Sequence, residues 1–293
     1  MKKGIVTMME SYKISLKETL MKLAKSEIQL TYHRAEQPLP PTASRIGGSP
    51  AVPAGFEWPC YTGSTYCEPE PKTRPLSFLA QINLREIAGL DKEHLLPPHG
   101  VLSFFYELET MTWGFQPSDA GSARVYWFPD ESALTNAHFP EGLAQANRLP
   151  ELAVEFRQRI SLPSYEDYHG GYDAVVYDEC RESCGASNDD CDGATKLLGY
   201  PDVIQSSMEP ECEAVSRGYS QGSPADYAKI PTEEKRDIQK KAEDWLLLFQ
   251  MDTVRDGAFE LMFGDCGHVY YWIKKSDLSQ QCFENCWLIL QCG

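Results

Sequence analysis

Two apolar runs that close on the same polar signature restrict the fold more than any other feature of this chain. Trp245-Leu-Leu-Leu-Phe-Gln-Met-Asp252 carries no charge before its last residue, which marks a buried strand. The turn Met262-Phe-Gly-Asp-Cys-Gly-His268 then hands the chain to a second strand, His268-Val-Tyr-Tyr-Trp-Ile273. Earlier, Ser77-Phe-Leu-Ala-Gln-Ile-Asn83 followed by Gly100-Val-Leu-Ser-Phe-Phe-Tyr106 repeats the phrase. A third match precedes each copy: Arg45-Ile-Gly-Gly-Ser-Pro-Ala-Val52 and Lys196-Leu-Leu-Gly-Tyr-Pro-Asp-Val203. Matches in the same order predict an internal duplication, with repeat one over about 38–130 and repeat two over about 195–293. Two units that each expose an apolar sheet face pack on one another. The expected fold is therefore a single pseudo-symmetric α+β domain around a mainly antiparallel sheet, with an N-terminal helix.

The 293 residues suffice for a full hydrophobic core without metals or disulfides as obligatory staples. A formal charge of −16 argues against nucleic acid and anionic lipid, since such a surface repels phosphates, and favours basic partners or small molecules. Glu10, Lys13, Lys17 and Glu18 interrupt the N-terminal apolar residues, so no signal peptide is expected, and no window of 18 apolar residues marks a membrane span. The expected compartment is the cytosol, where most of the 10 cysteines stay reduced.

Around the repeats, Leu16, Leu20, Leu23 and Ala24 recur at helical spacing and predict an amphipathic helix over 8–30, within an N-terminal helical segment 1–37 that precedes the main domain 38–293. Prolines and glycines over 38–59 predict an ordered loop anchored by Ile46, Val52, Phe56 and Trp58. Ala123-Arg-Val-Tyr-Trp-Phe128 reads as a strand, and the alternation Leu152, Val154, Phe156, Ile160, Leu162 as a half-exposed one. Residues 165–193 form an acidic, cysteine-containing insert placed outside the core. A charged helix is expected over 231–244, with Thr232 as its N-cap.

Several of these phrases, read with Gly55-Phe-Glu-Trp-Pro59, Trp113-Gly-Phe115, Leu198-Gly-Tyr-Pro201 and Phe263-Gly-Asp-Cys-Gly267, resemble the YwqG-like family from about residue 38 to the C-terminus. The resemblance implies a duplicated α+β fold and brings no catalytic residues with it. Some relatives sit in loci for bacterial toxins and their antidotes, so it also implies a protein-binding or immunity role. The insert with Cys180, Cys184 and Cys191 departs from the family pattern.

Candidate chemistry is sparse. Asp265, Cys266 and His268 gather a carboxylate, a thiol and an imidazole in one turn, the groups a nucleophile and its base require, with His99 or His169 as a remote alternative to His268. Against that, a Gly-Asp-x-Gly turn uses its aspartate to bind backbone amides, and neighbours on a strand point to opposite faces. Cys180, Cys184 and Cys191, with Cys212, are candidate zinc ligands on a loop, but they lack paired Cys-x2-Cys knuckles. Asn188-x-Asp190-x-Asp192-Gly193 begins like a calcium loop, yet Gly199 stands where the bidentate glutamate belongs. Cys282, Cys286 and Cys292 flank a terminal strand as reduced thiols. Trp58 and Trp113, in proline and glycine loops with Phe56 and Phe115, are candidates for lining a cleft. Arg45 and Lys196 are candidates for an anionic group near the symmetry axis, and Gln81, Gln250 and Asp265 join them as binding candidates. No phosphate loop, zinc-protease helix or Gly-x-Ser-x-Gly elbow occurs. The function expected is a non-catalytic binding protein for a partner of basic character, needing no cofactor. A hydrolase around Asp265 and His268, and a zinc-stabilised structural protein, are the alternatives.

Overall fold

The computed structural model describes residues 2–65, 67–165, 168, 173–186 and 195–293, with side chains from residue 10 onward. Ten strands form one sheet: β1 (Lys25–Arg34), β2 (Arg45–Ile46), β3 (Ser77–Asn83), β4 (Val101–Tyr106), β5 (Ala123–Phe128), β6 (Leu152–Ser161), β7 (Lys196–Leu198), β8 (Trp245–Met251), β9 (His268–Lys274) and β10 (Trp287–Gln291). Their order is β10-β9-β8-β7-β1-β6-β2-β3-β4-β5, and every neighbouring pair is antiparallel. The long β1–β6 ribbon, with Thr31 opposite Glu155, lies at the centre, and four strands flank it on each side.

The sheet curls until its outer halves meet. Phe104 of β4 stands with its ring centroid 4.4 Å from that of Phe249 on β8, and Tyr271 of β9 donates from its hydroxyl to the Phe105 carbonyl at 3.0 Å. One core cluster joins Leu79, Leu102 and Phe104 of one half to Leu248, Met251 and Val269 of the other. The molecule is thus one α+β domain around a nearly closed antiparallel sheet.

The uninterrupted apolar run of β8 follows from burial on both faces. Leu246 and Leu248 face the common core, while Trp245 and Leu247 face a second cluster with Met208 and Cys212. Cys212 lies on α4 (Glu209–Ser216), one of the helices that cover the outer side. β3 and β4 are also wholly buried, with Phe78 and Phe105 packing outward against Phe56 and Trp58. β6 keeps the expected alternation only through Arg157, with Glu155 and Arg157 exposed and Val154 and Phe156 half-buried; beyond it the pattern reverses, since Ile160 is 37% exposed and Arg159 is half-buried.

Helices cover the remainder: α1 (Lys2–Leu23), α2 (Leu84–Ile87), α3 (Ala174–Ser183), then α4, α5 (Pro224–Lys229), α6 (Thr232–Ala242) and α7 (Lys275–Ser279). Three expectations need correction. The N-terminal helix ends at Leu23, and residues 25–34 are the central strand β1, so the segment 1–37 is not helical throughout and supplies one strand of the main sheet. Ile28, Leu30 and Tyr32 alternate with period two, which fits a strand face and not the helical stripe of Leu16, Leu20, Leu23 and Ala24, and they pair along β6. Second, Pro231 occupies the N-cap of α6 without a side-chain hydrogen bond, and Thr232 is the first helical residue. Third, Cys180 and Cys184, expected on a loop, lie within α3 and at its C-cap; the described part of the insert stays outside the main core, with Tyr177 and Cys180 buried against Leu16 and Leu20 of α1.

Candidate functional site

The chain's most concentrated chemistry lies where β2 and β7 flank the central ribbon. In the β2–β3 ladder Arg45 stands opposite Gln81, and in the β7–β8 ladder Lys196 stands opposite Gln250. Both cations are buried, Arg45 at 0% exposure and Lys196 at 4%.

Arg45 donates from Nη1 to Glu151 at 2.6 Å, from Nη2 to the carbonyls of Pro40 and Pro41, and from Nε to the Ala43 carbonyl at 3.3 Å. Burial lowers the guanidinium's pKa, and Glu151 opposes that shift. Gln81 accepts the Ala51 N–H at 2.8 Å and donates to the carbonyls of Pro41 and Ala43 at 2.7 and 2.8 Å. Together these side chains hold the proline-rich segment against the sheet, which satisfies carbonyls that burial would otherwise strand.

Lys196 does the corresponding work with acids. Its ammonium lies 2.8 Å from Asp202 and 3.3 Å from Glu27. Burial alone would depress its pKa, but Asp202 and Glu27 outweigh burial and hold it above the ordinary lysine value. Gln250 accepts the Asp202 N–H at 2.9 Å and donates to its carboxylate at 2.7 Å. A further buried glutamine, Gln291, accepts the N–H groups of Ile204 and Gln205 at 3.1 and 3.0 Å and donates to the Ser206 carbonyl at 2.8 Å. Arg45 and Lys196 are thus neutralised inside the chain, and an anion from solvent would have to displace these carboxylates.

His268, at the start of β9, turns away from the chemistry proposed for its neighbours. Its Nε2 lies 3.2 Å from Asp252 Oδ1, and its Nδ1 lies 3.2 Å from the Tyr270 hydroxyl, which donates to the Asp202 carbonyl at 2.6 Å. Burial would raise the Asp252 pKa, but His268 and the Thr253 N–H hold it below the usual carboxylate value. Asp265 and Cys266 are exposed in the turn, where Gly264 adopts φ +62° and Cys266 φ +50°. The Asp265 side chain makes no hydrogen bond among the described residues, so it neither braces the turn's amides nor orients the imidazole. His99 bonds the Pro129 carbonyl through Nδ1 at 3.3 Å, and His169 lies outside the described residues.

The aromatic candidates divide. Trp58 is half-buried, packs 5.5 Å from Phe105 and donates Nε1–H to the Leu76 carbonyl at 2.8 Å, which anchors its loop. Trp113 is 45% exposed, yet its backbone is fixed to the far half of the sheet. Its carbonyl accepts the Leu290 N–H at 3.1 Å, the Gly114 carbonyl accepts Trp287 Nε1–H at 2.8 Å, and the Phe115 carbonyl accepts the Gln221 N–H at 2.7 Å. Gly114 permits this approach at φ +80°, since a Cβ there would fall 1.9 Å from the Leu288 carbonyl oxygen.

Among the described residues no group of three or more His, Cys, Asp or Glu side chains is placed to hold a metal ion. Cys180 is buried in the α1–α3 packing with its thiol toward the Lys13 carbonyl, Cys184 is half-buried, and Cys212 lies under β8. Cys191 and the calcium-like stretch 188–193 lie outside the described residues. Cys282 and Cys286 are half-buried and Cys292 is buried, all as free thiols.

Sequence reasoning did not single out Glu27, Glu151, Asp202, Asp252 or Gln291. Asp252 had a visible signal, as the residue that closes the apolar run. Glu151 acts through Arg45, 106 residues away, and Glu27 through Lys196, 169 residues away, whereas Asp202 meets Lys196 from six residues on, inside the matched phrase 196–203.

No helix among the described residues is long and apolar enough to cross a membrane. No curated protein matches the chain. A family model does match, over residues 44–292, and the chain belongs to that family, described as domain of unknown function (DUF1963).

Proposed function

We propose that this protein is a cytosolic, non-catalytic binding module of YwqG-like type that captures a protein partner of basic character, in the manner of an immunity protein. Trp113 carries the reading. It presents a large aromatic surface to solvent from a backbone pinned through the carbonyls of residues 113, 114 and 115, so little ordering entropy remains to be lost on docking. The excess of 43 acidic over 27 basic residues supports a cationic partner. The paired registers Arg45↔Gln81 and Lys196↔Gln250 support the duplicated unit that the YwqG-like resemblance implies. Saturation of both cations by the chain's own carboxylates supports a structural role for them rather than anion capture.

The test is an affinity capture from the source cell with wild-type and Trp113→Ala bait at low and high salt. A specific basic partner, retained by the wild type at low salt and reduced about tenfold by the substitution, is expected. Identical recovery by both baits, or a hydrolytic activity in the purified protein that Asp252→Asn or His268→Ala abolishes, would sink the proposal.

A further inference from the structure

A cavity of about 200 Å³ opens beside α2, with Leu84, Ile87, Leu96 and Pro97 among its apolar walls and Asp91 and His94 as its titratable lining. Asp91 is 4% exposed. Its Oδ2 accepts the Leu96 N–H at 2.8 Å, while its Oδ1, also out of solvent, has no hydrogen-bond partner among the described residues. A buried carboxylate oxygen without a donor is costly, and such an oxygen beside an open cavity marks where a donor is missing.

We propose that this cavity binds a primary alkylammonium group, with its apolar stem against Leu84, Ile87, Leu96 and Pro97 and its N–H donors on Asp91. The chemistry of the walls selects that class. An anion would meet a carboxylate. A hard metal ion wants about six to eight oxygen ligands, and the lining offers a single carboxylate. Water filling the space would need two to four polar partners per molecule, roughly, which leucine, isoleucine and proline do not supply. An apolar cavity of about 150 Å³ accommodates benzene, so the space here suits a stem of about four to six carbons. Asp91 itself lines the cavity, and the terminal torsion of an aspartate is broad and soft, which lets its carboxylate turn to meet an occupant's donors. His94, exposed and with its backbone at φ +52°, contributes to the lining beside Asp91. The group can belong to a free amine or to a lysine side chain of a polypeptide. The second source would deepen the proposed capture of a basic protein, but the ammonium site stands without it.

The experiment titrates the full chain with n-butylammonium chloride, n-butanol and N-acetyl-lysine methylamide, followed by calorimetry and by amide NMR shifts. Butylammonium is expected to perturb the amides of residues 84–98 and to bind at least about tenfold more tightly than butanol. Asp91→Asn keeps an acceptor for the Leu96 N–H but removes the charge, and Ala88→Met narrows the cavity with the carboxylate intact. Each is expected to weaken the ammonium about tenfold or more. Binding of the lysine derivative as tightly as butylammonium assigns the group to a polypeptide, and binding of butylammonium alone assigns it to a free amine. No perturbation in the folded wild type, equal binding of butanol, or an unchanged affinity in Asp91→Asn overturns the proposal. If Asp91→Asn does not fold, Ala88→Met and the butanol comparison decide.

Discussion

Lys196 and Asp202 meet at 2.8 Å beneath the loop that follows β7, and Glu27 approaches the same ammonium from the central strand at 3.3 Å. Removing one partner of a buried ion pair leaves uncompensated charge, which costs more than the pair contributes. Because the Asp202 side chain is 36% exposed and water screens it in part, Lys196→Met is expected to destabilise the fold by about 1–2 kcal/mol in urea titration, and Lys196→Met with Asp202→Asn by less than Lys196→Met alone. A loss below about 0.5 kcal/mol would place the pair among weak surface contacts instead.

Stability should also depend on Glu211. Burial, with repulsion from Glu209, raises its pKa from 4.5 to about 7, against a long hydrogen bond from Ser206. The folded state then holds more protons than the unfolded state between about pH 4.5 and 7, so this residue makes stability fall as pH rises through that window. Glu211→Gln should flatten that limb and raise stability at pH 8 by about 2 kcal/mol. Asp252 works in the opposite sense: its pKa is lowered, so its contribution is present above the unfolded value and is lost as pH falls into the acid range. Urea midpoints of both proteins from pH 4 to 8 read the first effect directly, and parallel curves would refute it.

Gly114 is the hinge of the Trp113 presentation. A Cβ at φ +80° would be strained and would meet the Leu288 carbonyl oxygen at 1.9 Å. Gly114→Ala is expected to cost at least about 2 kcal/mol and to shift Trp113 fluorescence, whereas Trp113→Ala should leave stability within about 0.5 kcal/mol. Unchanged melting in Gly114→Ala would mean that the loop does not hold this approach.

Cys180 distinguishes packing from metal binding. Its side chain is buried between α1 and α3, so Cys180→Ser should cost about 1–2 kcal/mol, and a zinc chelator should leave the wild-type melting temperature unchanged. A chelator-induced fall in melting temperature with zinc present in stoichiometric amount would restore the zinc reading.

The strands were legible wherever burial follows from local pattern. The run through Phe249 and the alternation through Phe156 each carry their own environment in their composition, buried on two faces or on one. β1 was not read as a strand, because the stripe of Leu16, Leu20, Leu23 and Ala24 was extended to residue 30, although Ile28, Leu30 and Tyr32 alternate with the period of two that marks a strand. The site divides similarly. Arg45, Lys196, Gln81 and Gln250 stood out as corresponding residues, but their partners did not, since Glu151 and Glu27 come from the central ribbon.

Sequence alone determined the elements that form on local grounds: the apolar runs that become buried strands and the glycine turns that link them. Tertiary structure decided which side chains meet. It turned His268 toward Asp252 rather than Asp265, enclosed Lys196 between Glu27 and Asp202, and set an exposed Trp113 on a rigid backbone. The physical reason is range. Strand and turn preferences act over a few residues, whereas ion pairs and hydrogen bonds here join segments brought together only when the sheet curls and its loops fold back upon it.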